Sequence, residues 1–117
     1  MKEFFQSLHT PERFSPSPQN IWTEEKISPF IFQSYFNNDV YGGSKDDDFL
    51  KKSISFIDKI ATRNSCTSIL DLGCGPGIYC SPLFDLGYTV SGMDISQKAI
   101  SYAQEYAKKN HQDISYY

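Results

Sequence analysis

The 117-residue chain has no apolar run that approaches the length of a membrane span. It has no run of lysine or arginine that would make a basic patch, and a formal charge of -3 gives no electrostatic reason to expect a nucleic-acid or anionic-membrane partner. Cysteine and histidine are scarce. Cys66, Cys74 and Cys80 form an odd set without a C-x-x-C pair, and His9 and His111 do not stand at ligand spacing from them. These shortages disfavour a metal centre and a disulfide framework, so the thiols read as reduced. Met1 to Gln6 lack the continuous apolar core of a signal peptide, which predicts an intracellular, cytoplasmic protein. What is present, 39% hydrophobic and 15% aromatic, suffices for the core of one small domain.

Glycine, in contrast, is concentrated at one place. Ile69, Leu70, Asp71 and Leu72 read as a short apolar strand, and Gly73, Gly75 and Gly77 follow at every second position, with Cys74 and Pro76 between them. Such a turn carries the chain over the carboxyl edge of a sheet and lets backbone lie against a ligand without Cβ atoms in the way. Helical sequence follows, so the turn leads to a helix N-terminus. This is a nucleotide-type pocket. The spacing departs from the dinucleotide fingerprint G-x-G-x-x-G, because position 78 is Ile. Asp71 puts a carboxylate beside the turn, which repels a diphosphate and attracts a cationic amine or sulfonium. A second strand, Thr89 to Met93, ends in Asp94, an acid placed to take ribose hydroxyls.

The stretch Asp71 to Gly77 followed by Gly92, Met93, Asp94, Ile95 and Ser96 resembles the first two motifs of the class I S-adenosylmethionine-dependent methyltransferases. The resemblance covers the second half of the chain well and is looser before residue 65. It implies S-adenosyl-L-methionine as cofactor, with Asp71 near the amino group of its methionine part. Backbone at Gly73, Cys74, Gly75 and Gly77 would line the cofactor, Asp94 would bind the ribose, and Ile95 would pack near the adenine. Several small-molecule members carry an aromatic or basic residue just ahead of the glycine motif, a part that Tyr41 and Lys45 could play. For Lys45, a solvated turn charge is the competing reading.

The fold expected is α/β: the N-terminal half of a Rossmann-like methyltransferase sheet, parallel, in strand order 3-2-1, with helices on both faces and an N-terminal helical cap. Residues 1–45 form the arm and cap, and residues 46–117 the cofactor-binding half-domain. In the arm, Pro11, Pro16 and Pro18 resist regular structure, while Phe4, Phe5, Leu8 and Phe14 either anchor it or let it cover the cofactor. Trp22, Ile27, Phe30, Ile31, Tyr35 and Phe36 suggest one or two helical turns around Pro29. Ordinary packing on the sheet is the simpler role for these aromatics; a lid or substrate wall of Trp22 and Tyr35 is the alternative. Asp46, Asp47 and Asp48 open a helix to about Arg63 as capping charges, not as a metal site. Further helices are expected over 78–86 and 97–109, with a third strand starting at Ile114.

In this family the sheet continues beyond three strands, so the resemblance also implies a complementing half: a second polypeptide or exchange between two copies. A chain left from a longer protein is the other outcome. The reaction would be direct methyl displacement onto a small-molecule acceptor, without nucleic acid or membrane as partner. No catalytic base can be named, since His9 lies in the arm and His111 follows a helix end. A catalytically incomplete, methyltransferase-like subunit that activates or scaffolds a partner is the alternative function, and half of an NAD-dependent oxidoreductase a third.

Overall fold

The computed structural model describes residues 12–16, 20–37 and 46–117. Three parallel strands, β1 (Ser68–Leu72), β2 (Thr89–Met93) and β3 (Ser115–Tyr116), lie side by side in the order β1, β2, β3. Helix α1 (Ser28–Ser34) and helix α2 (Asp47–Arg63) precede β1; α3 (Cys80–Asp85) connects β1 to β2, and α4 (Gln97–Lys109) connects β2 to β3.

Local chemistry sets most of these boundaries. Asp46 caps α2 by accepting the Phe49 N–H at 2.8 Å, and Asp47 and Asp48 occupy the first turn, where carboxylates meet the positive end of the helix dipole. Ser96 caps α4 through the Ala99 N–H at 3.4 Å, and Lys108 and Lys109 sit in its last turn. Proline opens α1, where its missing N–H has no intrahelical partner to lose. Helix α3 is shorter than the 78–86 expected. The backbone holds φ at 82°, 53° and 82° at Gly73, Gly75 and Gly77, so the turn runs on and helical geometry begins only near Cys80.

The register decides what each face of the sheet presents. Ile69 pairs with Val90 and Asp71 with Gly92, while on the other face Leu70 pairs with Ser91 and Leu72 with Met93. The first set is covered: Val90 is 1% exposed and packs in one core with Ile54 and Ala61 of α2, Leu83 of α3, Ile100 and Ala103 of α4, and Tyr116. Helices α2 and α3 touch, α3 lies on β2, and α4 lies on β3. The second set is bare, with Leu70 55%, Leu72 72% and Met93 43% exposed. This corrects the expectation of helices on both faces. Both crossovers step in the same direction along the sheet, and right-handed connections then place their helices on one side. Among the described residues β1 pairs with β2 alone, so its outer edge is open.

Two side chains tie the helical layer together. Tyr88 donates to Asp58 Oδ1 at 2.6 Å, fixing α2 to the approach to β2. The Gln112 amide donates to Ser81 Oγ at 2.9 Å and Asp85 Oδ1 at 2.8 Å, fixing the approach to β3 against α3.

Helix α1 packs on α4. Phe32 and Phe36 meet the Tyr102 ring at centroid distances of 5.5 and 5.0 Å, and the Lys98 ammonium lies 5.1 Å from the Phe32 ring. Phe14, offered as an anchor of the arm, is fully exposed. The other proposed anchors, Phe4, Phe5 and Leu8, lie outside the described residues, as do Tyr41 and Lys45.

Candidate functional site

The carboxyl ends of β1 and β2, with Tyr117 after β3, meet at one cleft of about 650 Å3, lined by Trp22, Tyr35, Gly73, Met93, Asp94, Ile95 and Tyr117. Gly73 stands at the exit of β1, Met93 to Ile95 at the exit of β2, and Tyr117 just after β3. A ligand crevice outside the carboxyl ends of parallel strands is where α/β sheets place their sites.

The floor of the cleft is backbone locked to backbone. The Met93 carbonyl accepts the Gly73 N–H at 2.7 Å and the Cys74 N–H at 3.0 Å, which joins the glycine turn to the end of β2. Asp94 completes the join: one carboxylate oxygen accepts the Gly75 N–H at 2.8 Å and the other accepts the Ser96 N–H at 2.7 Å. Each oxygen keeps a second acceptor direction. The acid is therefore aimed by the turn while still able to accept two hydroxyls. A Cβ added to Gly73 would meet nothing within 4 Å, so that position opens onto free space.

The other sequence-predicted residues divide in two. Ile95 is 61% exposed and lines the cleft, an apolar surface held out to solvent. Cys74 and Gly75 are buried in the floor. Asp71 and Gly77 lie behind the turn, toward the helices. The Cys80 thiol donates to Asp71 Oδ2 at 3.5 Å, and a Cβ on Gly77 would lie 2.5 Å from the Tyr116 hydroxyl oxygen. Burial pushes the Asp71 carboxyl above the ordinary range; the thiol pulls it back, and the Asp94 charge adds to the rise. Tyr116 is raised chiefly by burial, then by Cys80 beside it. The structure thus brings Gly73, Asp94 and Ile95 to the cleft and sets Asp71 and Gly77 beneath it.

Four further residues line the cleft. Met93 belongs to the second motif at the end of β2, and Tyr117 directly follows Tyr116 of β3. Trp22 and Tyr35 come from the segment before α2, and only the packing of α1 on α4 puts them there. A second cleft of about 500 Å3 lies on the helical side, lined by residues that include Phe36, Leu50, Pro76, Ile78, Ser81 and Tyr106. Among the described residues no group of three or more His, Cys, Asp or Glu could hold a metal ion, and no helix is long and apolar enough to cross a membrane.

Comparison with known proteins agrees with this geometry. Residues 69–117 match a family model described as a methyltransferase domain. The chain is similar to ubiquinone biosynthesis O-methyltransferases. One from Bradyrhizobium diazoefficiens is 48% identical over 48 residues, covering 41% of this chain and 19% of that protein. Another, from Rhodopseudomonas palustris, is 40% identical over 74 residues, covering 54% of this chain and 29% of its own length. The chain thus spans less than a third of the length of these curated relatives. Among solved structures, an S-adenosylmethionine-dependent methyltransferase from Clostridium acetobutylicum aligns with a TM-score of 0.55 at 22% identity, over 77% of this chain and 34% of that one. The bifunctional kinase-methyltransferase WbdD aligns with a TM-score of 0.57 at 21% identity, over 86% of this chain and 21% of its own. These two show a shared fold.

Proposed function

We propose that this chain, whose residues 69–117 match a methyltransferase domain, is the S-adenosylmethionine-binding part of an enzyme that methylates a small-molecule acceptor. The observation that carries the reading is Asp94, held by the Gly75 and Ser96 N–H groups at the exit of β2 and facing the open space beside Gly73.

The residues fit the cofactor. Free space beside Gly73 admits a ligand against the backbone. Asp94 has acceptor capacity left for two ribose hydroxyls, and Ile95 offers an apolar surface for a base. A cleft of about 650 Å3 is within the range of small-molecule sites. Asp94 carries the negative charge among its described lining residues, and that field favours a cation.

Bound S-adenosylmethionine supplies a methyl group on a positively charged sulfur, with a neutral thioether as leaving group. The protein's share is positioning and exclusion of water. Asp94 fixes the nucleoside end, the Gly73–Cys74 backbone sets the distance to the sheet, and the aromatic rings narrow the mouth. Further polypeptide, from a second chain, by exchange between two copies or from a longer form of the same chain, would cover the open edge of β1 and the bare face at Leu70, Leu72 and Met93. A non-catalytic subunit that activates or scaffolds a partner is the second reading. It is favoured by one observation: no histidine, lysine or glutamate is among the described lining residues of the cleft.

Isothermal titration with S-adenosylmethionine and S-adenosylhomocysteine, alone and with a candidate complementing chain, tests the proposal. Binding that Asp94→Ala weakens, and methyl transfer that appears on complementation, are expected. Saturable cofactor binding without transfer in any complex would favour the second reading. No binding under either condition would sink both.

A further inference from the structure

The geometry points to two further cofactor contacts from outside the motif half: Tyr35 and Trp22, an aromatic wall opposite Asp94 that favours the positively charged sulfonium over the neutral thioether product. This rests on the cofactor reading above. The Tyr35 ring already leans on the glycine turn, since a Cβ on Gly75 would lie 3.0 Å from its Cε1 and Cζ atoms. Trp22 lines the same cleft, 45% exposed, with its backbone N–H fixed by Asn20 Oδ1 at 3.1 Å. Neither ring is spent on the core. Phe32 and Phe36 pack on Tyr102, while Tyr35 and Trp22 line the cleft.

An electron-rich ring face attracts a cation, and the attraction grows where water is displaced. Asp94 grips ribose hydroxyls, which the sulfonium and the thioether share, so it cannot tell them apart by that contact. The rings can. Loss of an aromatic face should therefore weaken the sulfonium more than the thioether, whereas loss of the ribose acid should weaken both through the hydroxyl contacts that they share.

The test uses the full chain, calorimetric titration with S-adenosylmethionine and S-adenosylhomocysteine, and the emission of Trp22, the one tryptophan in the sequence. Tyr35→Leu is expected to weaken S-adenosylmethionine roughly tenfold and S-adenosylhomocysteine less than about threefold, with Tyr35→Phe near wild type. Wild-type emission should change on adding either ligand, a readout that needs no variant to fold. Far-UV melts accompany each variant. Equal weakening of both ligands by Tyr35→Leu, or no weakening with an unchanged emission, would overturn the inference while leaving the site intact. If wild type bound neither ligand, alone or with a complementing chain, the cofactor reading itself would fall, and the aromatic wall with it.

Discussion

Asp94 does two jobs with one carboxylate: it ties the glycine turn to the start of α4 and holds acceptor directions toward the cleft. Asp94→Asn sets an amide N–H2 against one of the two backbone donors. Cofactor affinity should fall roughly tenfold to a hundredfold, the range of a hydrogen bond to a charged group, with a lowered melting temperature as the second sign. Gly77 is constrained by its neighbour as well as by its backbone. At φ 82°, an added Cβ would lie 2.5 Å from the Tyr116 oxygen, whereas Gly87, at φ 95°, has nothing within 4 Å. Gly87→Ala should lose only the left-handed strain, about 1–2 kcal/mol; Gly77→Ala should lose more in the same urea titration. Asp71 gives a pH dependence. Its carboxyl is raised in the fold by burial, so the folded state holds its proton more tightly than the unfolded chain does. Stability should then decline as pH rises from the ordinary carboxylate range through the raised value. Asp71→Asn removes this decline, so the melting temperature of the variant minus that of wild type should grow with pH across that window. A flat difference would contradict the burial of the charge. At this scale the motif residues Gly73, Asp94 and Ile95 were legible because strand ends and turns are local. Asp71 was legible as an acid near the turn, but its inward orientation follows from strand alternation against the helix layer. Trp22 and Tyr35 were legible as the alternative lid or wall beside ordinary packing, and the structure places them at the cleft through a contact between α1 and α4 that no local signal shows.

Among the elements, α2 and α4 were readable to within a residue because each carries its own cap and apolar stripe. Asp46 and Ser96 satisfy the first free N–H groups, and Ile54, Ala61, Ile100, Ala103 and Ala107 bury the inner faces. Asp46→Ala should destabilise by about 1 kcal/mol. The exposed pair of Lys52 with Asp48 one turn along should be worth no more than about 0.5 kcal/mol when Lys52 is replaced by alanine. Guanidinium titration at low salt separates the two. A larger loss at Lys52 would show that the surface pair outweighs the cap. Helix α3 was read too long because apolar periodicity continues through Ile78 and Tyr79, while the positive φ values that delay the helix are a property of the three glycines acting together.

For the whole molecule, the asymmetry of the sheet is the main consequence of topology. One face is buried under three helices, and the other presents Leu70, Leu72 and Met93 beside an open strand edge. Sequence alone cannot show this: Leu70 and Leu72 are as apolar as Ile69 and Val90, and only crossover handedness assigns the helices to one side. Leu72→Lys should leave the melting temperature of the isolated chain nearly unchanged, since the side chain is 72% exposed, and should reduce self-association seen by light scattering. The central claim concerns the other end of the sheet, and amide NMR tests it most directly. Adding S-adenosylhomocysteine to the labelled chain should shift the resonances of Gly73, Gly75, Asp94, Ile95 and Ser96 and leave those of Ile78, Ser81 and Tyr106 near their free positions. Shifts confined to the second group, or none at millimolar ligand, would contradict it.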